Sequence, residues 1–264
     1  MSTVRHSAAA CGYGFPPDVY EIACGWDPRP EIERLLFLAR QAGVQPQSAL
    51  ELGCGTGRLL RTLRQTVPDV CGIELSPAMA RWGRASGVGE ILDGDMSDFA
   101  LGRRFDLIFT SANTIRHVLT DDAIASMWRC IGEHLSPGGV FVADIELGLA
   151  AEAEKAGKPV TWTSSSGPNE VRATWLVVEP PSPRTRCCQV TYTLEARGPE
   201  VNGTWEERFE LRTYDAQELL ASASHHGGLE PRGLYELRDP HLIETPVEKA
   251  AGRFLAVLQQ AKRR

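Results

Sequence analysis

The stretch Ala49-Leu50-Glu51-Leu52-Gly53-Cys54-Gly55-Thr56-Gly57 decides the fold. An apolar run carrying one acid, Glu51, leads into glycine at alternate positions, and a helix-like segment, Arg58 to Thr66, follows. That order predicts a buried parallel strand, a tight turn and a helix N-terminus. Glycine lets the backbone approach a ligand with no Cβ in between, and it tolerates positive φ. The spacing Gly-x-Gly-x-Gly is not the Gly-x-Gly-x-x-Gly of dinucleotide-binding folds, where the helix N-terminus faces a pyrophosphate. Glu51 would repel a pyrophosphate, whereas it suits a cationic ligand.

Three more strand ends follow in order. Val70 to Leu75 reads as the second strand, and Glu74 lies about 20 residues past the turn, the distance at which an acid meets a ribose diol in this kind of fold. Ser76 is the expected N-cap of the next helix, with Pro77 at its first position. Ile91 to Asp93 is a third strand, ending in Gly94-Asp95-Met96. Phe105 to Ser111 is a fourth, and the loop Ala112 to Thr120 leaves its carboxyl end, where ligands bind in open α/β sheets. Asp121 to Leu135 has helical spacing of apolar residues, Pro137-Gly138-Gly139 is a turn, and Val140 to Glu146 is a fifth strand. Strands alternating with helices imply a doubly wound, mostly parallel sheet.

These strand ends resemble those of class I S-adenosylmethionine-dependent methyltransferases. The run Gly94 to Phe99, with Leu101-Gly102-Arg103 after it, is especially similar to the sugar N,N-dimethyltransferases of antibiotic pathways. The resemblance implies a Rossmann-like methyltransferase sheet with its last strand antiparallel, and S-adenosylmethionine as cofactor without a metal. It places the cofactor against Glu51, Gly53, Cys54, Gly55, Gly57, Glu74, Leu75, Asp95, Met96 and Ser111. Asp95 would meet the adenine amino group, and the backbone amide of Met96 a ring nitrogen. Glu51 would support the methionine end. The Asn113-x-x-x-His117 pattern resembles a branch of small-molecule methyltransferases, whereas enzymes acting on DNA adenine or protein glutamine carry Asn-Pro-Pro-Tyr or Asp-Pro-Pro-Tyr there.

His117, Asn113 and Tyr20 are therefore the expected catalytic residues, with His117 as a base, a positioning group or a structural loop residue. Tyr20, Trp26, Arg116 and His117 are expected around the acceptor; for Arg116 a solvated loop position is the alternative. In resembling enzymes the N-terminal segment folds over the cofactor. Aromatic faces attract a sulfonium as they do other cations, so Tyr13 and Tyr20 are candidates, the alternative being simple packing.

The chain divides into a cap (1–47), a cofactor-binding core (48–146), inserted antiparallel strands (147–212) and a segment completing the sheet (213–264). The insert is rich in Thr, Val, Trp and Tyr between Gly, Pro and Ser turns, with strands near 160–163, 170–179, 186–196 and 201–212. Asp215 to His225 reads as a helix, Leu229 to Leu237 as a sixth strand, and Arg253 to Gln259 as a seventh that is ambiguous with helix. With a net charge of −6 and no long basic run, a nucleic-acid partner is not expected. No run is long enough to span a membrane and residues 1–10 lack a signal-peptide apolar core, so the chain is read as cytoplasmic, a homodimer being left open. Seven cysteines without framework spacing argue for reduced thiols, and no ligand spacing for a metal is present. A small-molecule acceptor with an amine or hydroxyl nucleophile is expected. The alternatives are a nucleotide-dependent oxidoreductase on the same fold and a non-catalytic binder of the cofactor.

Overall fold

The glycine turn and its flanking strand take up the expected conformation in the computed structural model of the chain, which describes residues 14–238 and 241–260. Helices α1 (Pro17–Ala23) and α2 (Arg29–Gln41) precede β1 (Ser48–Leu52). Then come α3 (Arg58–Leu63), β2 (Asp69–Glu74), α4 (Pro77–Ala85), β3 (Glu90–Asp93), β4 (Phe105–Thr110), α5 (Asp121–His134) and β5 (Leu135–Leu147). A short α6 (Leu149–Ala153) leads to β6 (Val160–Ser166), β7 (Asn169–Glu179), β8 (Cys187–Arg197) and β9 (Gly203–Arg212). The chain closes with α7 (Ala216–Gly227), β10 (Leu229–Arg238), β11 (His241–Glu244) and β12 (Gly252–Gln260).

Among the described residues, eight strands form the central sheet in the order β11-β10-β12-β5-β4-β1-β2-β3. β1 pairs in parallel with β2 (Leu52 opposite Ile73) and with β4 (Glu51 opposite Phe109). The winding therefore reverses at β1, and the crevice beyond the carboxyl ends of β1 and β4 is the place where such sheets bind ligands. β12 runs antiparallel to both β5 and β10. Its run Phe254 to Leu258 is buried on both faces, Phe254, Ala256 and Leu258 toward one layer and Leu255 and Val257 toward the other. A strand covered on both sides has no alternation, which is why the sequence reads equally as buried helix.

The structure departs from the sequence reading in a few places. β5 begins at Leu135, and Pro137-Gly138-Gly139 lies in a register shift between the pairs Phe105–Leu135 and Leu107–Val140. Gly138 has φ 81°, so the expected turn survives as a bulge inside the strand. Ser76 does not cap α4 with its side chain; its N–H donates to Glu74 Oε1 at 2.8 Å instead. Helices α1 and α6 and strand β11 are too short to show a period in the sequence.

Two apolar layers cover the sheet. On one, α5 buries Ile124, Met127, Trp128 and Ile131, and Trp128 meets Phe141 of β5 edge to face with centroids 5.5 Å apart. The other is built from α2, α3 and the opposite strand faces. β6 to β9 form a separate antiparallel sheet in chain order. Its inner face, with Ala173, Tyr192 and Leu194, packs on Phe15, Val19 and Ala23 at α1, so the second sheet and the cap share one core. Trp128→Ala should lower thermal and denaturant stability by about 3–5 kcal/mol, measured by chemical unfolding, because it deletes the largest side chain of the first layer.

Candidate active site

The turn after β1 is held from beneath by β2. Gly53 N–H and Cys54 N–H donate to Ile73 O at 2.8 and 3.0 Å. Gly55 N–H donates to Glu74 Oε2 at 2.7 Å, and Ser76 N–H occupies the other oxygen of the same carboxylate. Burial pushes the Glu74 carboxyl up, opposed by these amide bonds. Gly53 and Gly55 have φ of 67° and 56°. A Cβ at Gly53 would lie 2.3 Å from Thr114 Cγ2, so glycine is required where the first turn meets the loop after β4.

Two adjoining cavities open above this turn, and both are lined by Tyr20, Gly53, Gly55 and Thr114. The larger, about 270 Å³, has Glu74, Leu75, Asp95, Met96 and His117 in its walls. Asp95 Oδ1 accepts from both the N–H and the hydroxyl of Ser97 at 2.8 Å, which fixes the carboxylate at the cavity edge. The smaller, about 70 Å³, is walled by Glu51, Cys54, Ser111, Trp26 and Arg58.

Glu51 is 2% exposed. Its Oε1 accepts from Ser111 Oγ at 3.0 Å, while Oε2 is buried with no hydrogen-bond partner. Burial pushes this carboxyl up to about 8, only partly countered by Ser111 and the Arg58 charge. A buried carboxylate oxygen without a partner is costly, and a cation entering the chamber would relieve it. Arg58 supplies the opposite charge in the same chamber. Its Nη2 donates to both Glu31 carboxylate oxygens at 3.1 Å, and the guanidinium lies 4.9 Å from the Trp26 ring centroid. A carboxylate and a guanidinium in one small chamber match an α-amino acid group. Sequence reasoning missed Arg58. The available signal was a cation at the first position of α3, where the helix dipole disfavours it.

His117 ends a 3-10 turn, Thr114–His117, and is half-buried. Its ring centroid is 5.3 Å from that of Phe209 on β9. Burial, with the Arg116 charge adding to it, pulls its pKa down to about 4, so the imidazole is neutral near pH 7. Tyr20 reaches both cavities from α1. Tyr13 lies outside the described residues.

Four expected site residues need correction. Arg116 is neither solvated nor in either cavity: it is 2% exposed and ion-paired with Glu152 at 3.1 Å. Its direction is set by Glu152 of α6 and by the Arg212 carbonyl at the end of β9. Asn113 also lines neither cavity. It adopts φ 66° and its Oδ1 accepts from Glu146 N–H, so it shapes the loop. Gly57 packs away from the cavities; with φ 74°, a Cβ there would lie 2.7 Å from Val88 Cγ1. Trp26 stands at the Glu51 chamber rather than beside His117, drawn there by Arg58 and by its own Nε1–H bond to Glu31 at 2.6 Å.

Residues 49–139 match the family described as "Methyltransferase domain". A dTDP-3-amino-3,4,6-trideoxy-alpha-D-glucopyranose N,N-dimethyltransferase of Streptomyces venezuelae is 30% identical over 128 residues, 48% of this chain and 54% of the relative. A dTDP-4-amino-2,3,4,6-tetradeoxy-D-glucose N,N-dimethyltransferase of Saccharopolyspora spinosa is 34% identical over 151 residues, 54% of this chain and 61% of the relative. The chain thus spans little more than half the length of these curated relatives. The X-ray structure of the sugar N-methyltransferase KedS8 from Streptoalloteichus sp ATCC 53650 superposes with TM-score 0.75 at 24% identity, covering 99% of both chains. Streptomyces venezuelae DesVI superposes with TM-score 0.77 at 22% identity, covering 93% of this chain and 97% of that one. Fold and motif agree: the chain has the fold of these methyltransferase structures, and its residues 49–139 match the methyltransferase-domain family. Its likeness to KedS8 extends beyond that domain over the cap and the second sheet.

Gly57→Ala should lower the stability of the ligand-free protein by about 1–3 kcal/mol in thermal melts, from its left-handed φ and the collision with Val88. Cofactor affinity at a temperature where the variant is folded should stay within about threefold of the parent.

Proposed function

We propose that this chain transfers a methyl group from S-adenosylmethionine to the amine of a small-molecule acceptor, with an amino sugar as the acceptor class. The observation that carries the reading is the partnerless Glu51 oxygen in a chamber that Arg58 also lines and that adjoins the Glu74 cavity. Glu51 would take the ammonium group and Arg58 the carboxylate of the methionine end. Glu74 would accept from the ribose hydroxyls while keeping its backbone bonds. Asp95 and the Met96 amide would meet the adenine edge, with the Met96 side chain giving apolar cover. A pyrophosphate in the same place would face two carboxylates, which counts against the oxidoreductase alternative.

When bound, the sulfonium supplies a methyl group that is already activated for in-line transfer. The chain has then to align the acceptor and exclude water, and alignment alone can contribute about 7–11 kcal/mol. Tyr20 and the cap would close the cavity from above, with His117 in its wall and Phe209 behind that ring. A histidine whose pKa is near 4 is a weak base, too weak to help a hydroxyl much, but as a neutral acceptor it can orient an amine N–H. This supports N- over O-methylation, as do the relatives named as amino-sugar N,N-dimethyltransferases. Mass-spectrometric turnover with an amino-sugar acceptor tests the proposal. Cofactor binding without turnover across a panel of amines and alcohols would favour the non-catalytic binder.

The raised Glu51 pKa gives a pH signature. With a free-protein pKa of about 8, Glu51 is protonated at pH 6, and binding an ammonium group requires it to ionise. Affinity for S-adenosylmethionine should therefore rise between pH 6 and 7.5, by at most about tenfold per unit, with release of about one proton. The ligand-free fold has the opposite trend. Its acid is raised above the unfolded value, so the unfolded state binds fewer protons and stability falls as pH climbs from about 4.5 toward 8. Calorimetry in buffers of different ionisation enthalpy reads the proton. Glu51→Gln should bind more weakly at pH 7.5 and lose the slope; an unaltered slope would assign it to another group.

His117→Ala should lower kcat by about 10²-fold with cofactor affinity nearly unchanged. The wild-type pH–rate profile should show no His117 ionisation between pH 6 and 7. A break in that range that disappears in His117→Ala would instead mark a base of ordinary strength.

A further inference from the structure

The loop after β4 is bolted to α6 by a charge pair that the methyl-transfer chemistry does not use. Arg116 and Glu152 of α6 have side chains only 3% and 2% exposed. The pairing is bidentate, with Arg116 Nη1 donating to Glu152 Oε2 at 3.2 Å and Nη2 lying 3.1 Å from Oε1. Further donors are used as well: Nε donates to Arg212 O at 2.8 Å, and Nη2 to Thr213 Oγ1 at 3.3 Å. Burial pushes the Glu152 carboxyl up, but the charges and hydrogen bonds of Arg116 and Lys155 hold it below its usual range.

The segment that anchors Arg116 also grips the next residues of the loop. Tyr214 Oη donates to Val118 O at 3.3 Å, and Arg212 Nη1 donates to Leu119 O at 3.0 Å. Arg212 reaches Asp121 as well, at 2.6 Å, at the start of α5. Thr114, His117, Val118, Leu119 and Thr120 all line the larger cavity. Arg116, between two of them, points the other way. The loop itself has two non-glycine residues with positive φ, Ala112 at 48° and Asn113 at 66°, a conformation that persists only when its surroundings hold it.

We propose that the buried Arg116–Glu152 pair, with the Arg212 carbonyl beside it, is a positioning device through which α6 and the end of β9 set the loop Thr114–Thr120, and His117 with it, against the methyl-transfer cavity. The kinetic part of this inference rests on the methyltransferase reading; the structural part does not. A buried ion pair contributes little net stability compared with apolar residues of the same volume, so its value here is geometric. Removing one partner alone strands a buried charge, whereas replacing both avoids that cost.

The test is the double variant Arg116→Met/Glu152→Leu, with Glu152→Gln beside it as a change that keeps the shape and an acceptor for Arg116 but leaves its charge uncompensated. In the folded double variant, hydrogen exchange at residues 114–120 should quicken at least about tenfold, while that at residues 53–57 stays within about twofold. Affinity for S-adenosylmethionine should stay within about threefold while kcat falls at least about tenfold, because small displacements of aligned groups are costly to rate. Glu152→Gln should fall between the parent and the double variant on both scales. Unchanged exchange in the loop, a loosened loop with unaltered kcat, or failure of both variants to fold would each overturn the inference. A parent protein that binds no cofactor and methylates nothing would overturn the proposed function instead, and the exchange measurement would still decide the loop.

Discussion

The reversal of winding at β1 is the constraint on which the rest of the structure depends. Because β1 pairs with β2 on one side and β4 on the other, the loops that follow β1 and β4 leave the same sheet edge and diverge. A crevice results without any side chain having to create it. What the sequence adds is its lining: glycines that let the first loop lie flat, and acids at the ends of β1 and β2. Gly53 shows how tight the fit is, since any Cβ there meets Thr114 from the second loop. The two loops define one site because they touch.

The two acids play different parts. Glu74 spends both oxygens on backbone amides of Gly55 and Ser76, so it joins the turn to the start of α4 before any ligand arrives. Glu51 is satisfied on one oxygen only and sits deeper. One acid is therefore structural and available to a ligand at the same time, whereas the other is left under strain that a cation would relieve.

Much of the fold was legible because it is written in short-range pattern. Strand ends, glycine turns and the apolar stripe of α5 depend on neighbours within a few residues. β12 was ambiguous because burial on both faces erases the alternation that marks a strand. The side-chain assignments that failed have long-range causes. Arg116 looks like a loop cation until Glu152, Arg212 and Thr213 are brought up to it from as far as 97 residues away. Asn113 looks like a polar group bound for the cavity until Glu146 N–H claims its side-chain oxygen. Gly57 belongs to the same glycine series as Gly53 and Gly55, and only the position of Val88 shows that it answers to packing. Arg58 could have been noticed from its unfavourable place on the helix dipole, but nothing nearby in sequence says that Glu51 shares its chamber.

The place of β12 has a consequence for how the chain is made. Gly252–Gln260 is the last described strand in sequence, yet it fills the gap between β5 and β10 near the middle of the sheet. During synthesis β5 is therefore complete more than a hundred residues before its neighbour appears, with its outer hydrogen-bonding edge open. The nascent chain must keep that edge from pairing with other chains until the final strand slides in, a long-range closure that is slow by nature. The cofactor crevice lies on the side that is finished first. The strands that carry the binding loops are thus made before β12.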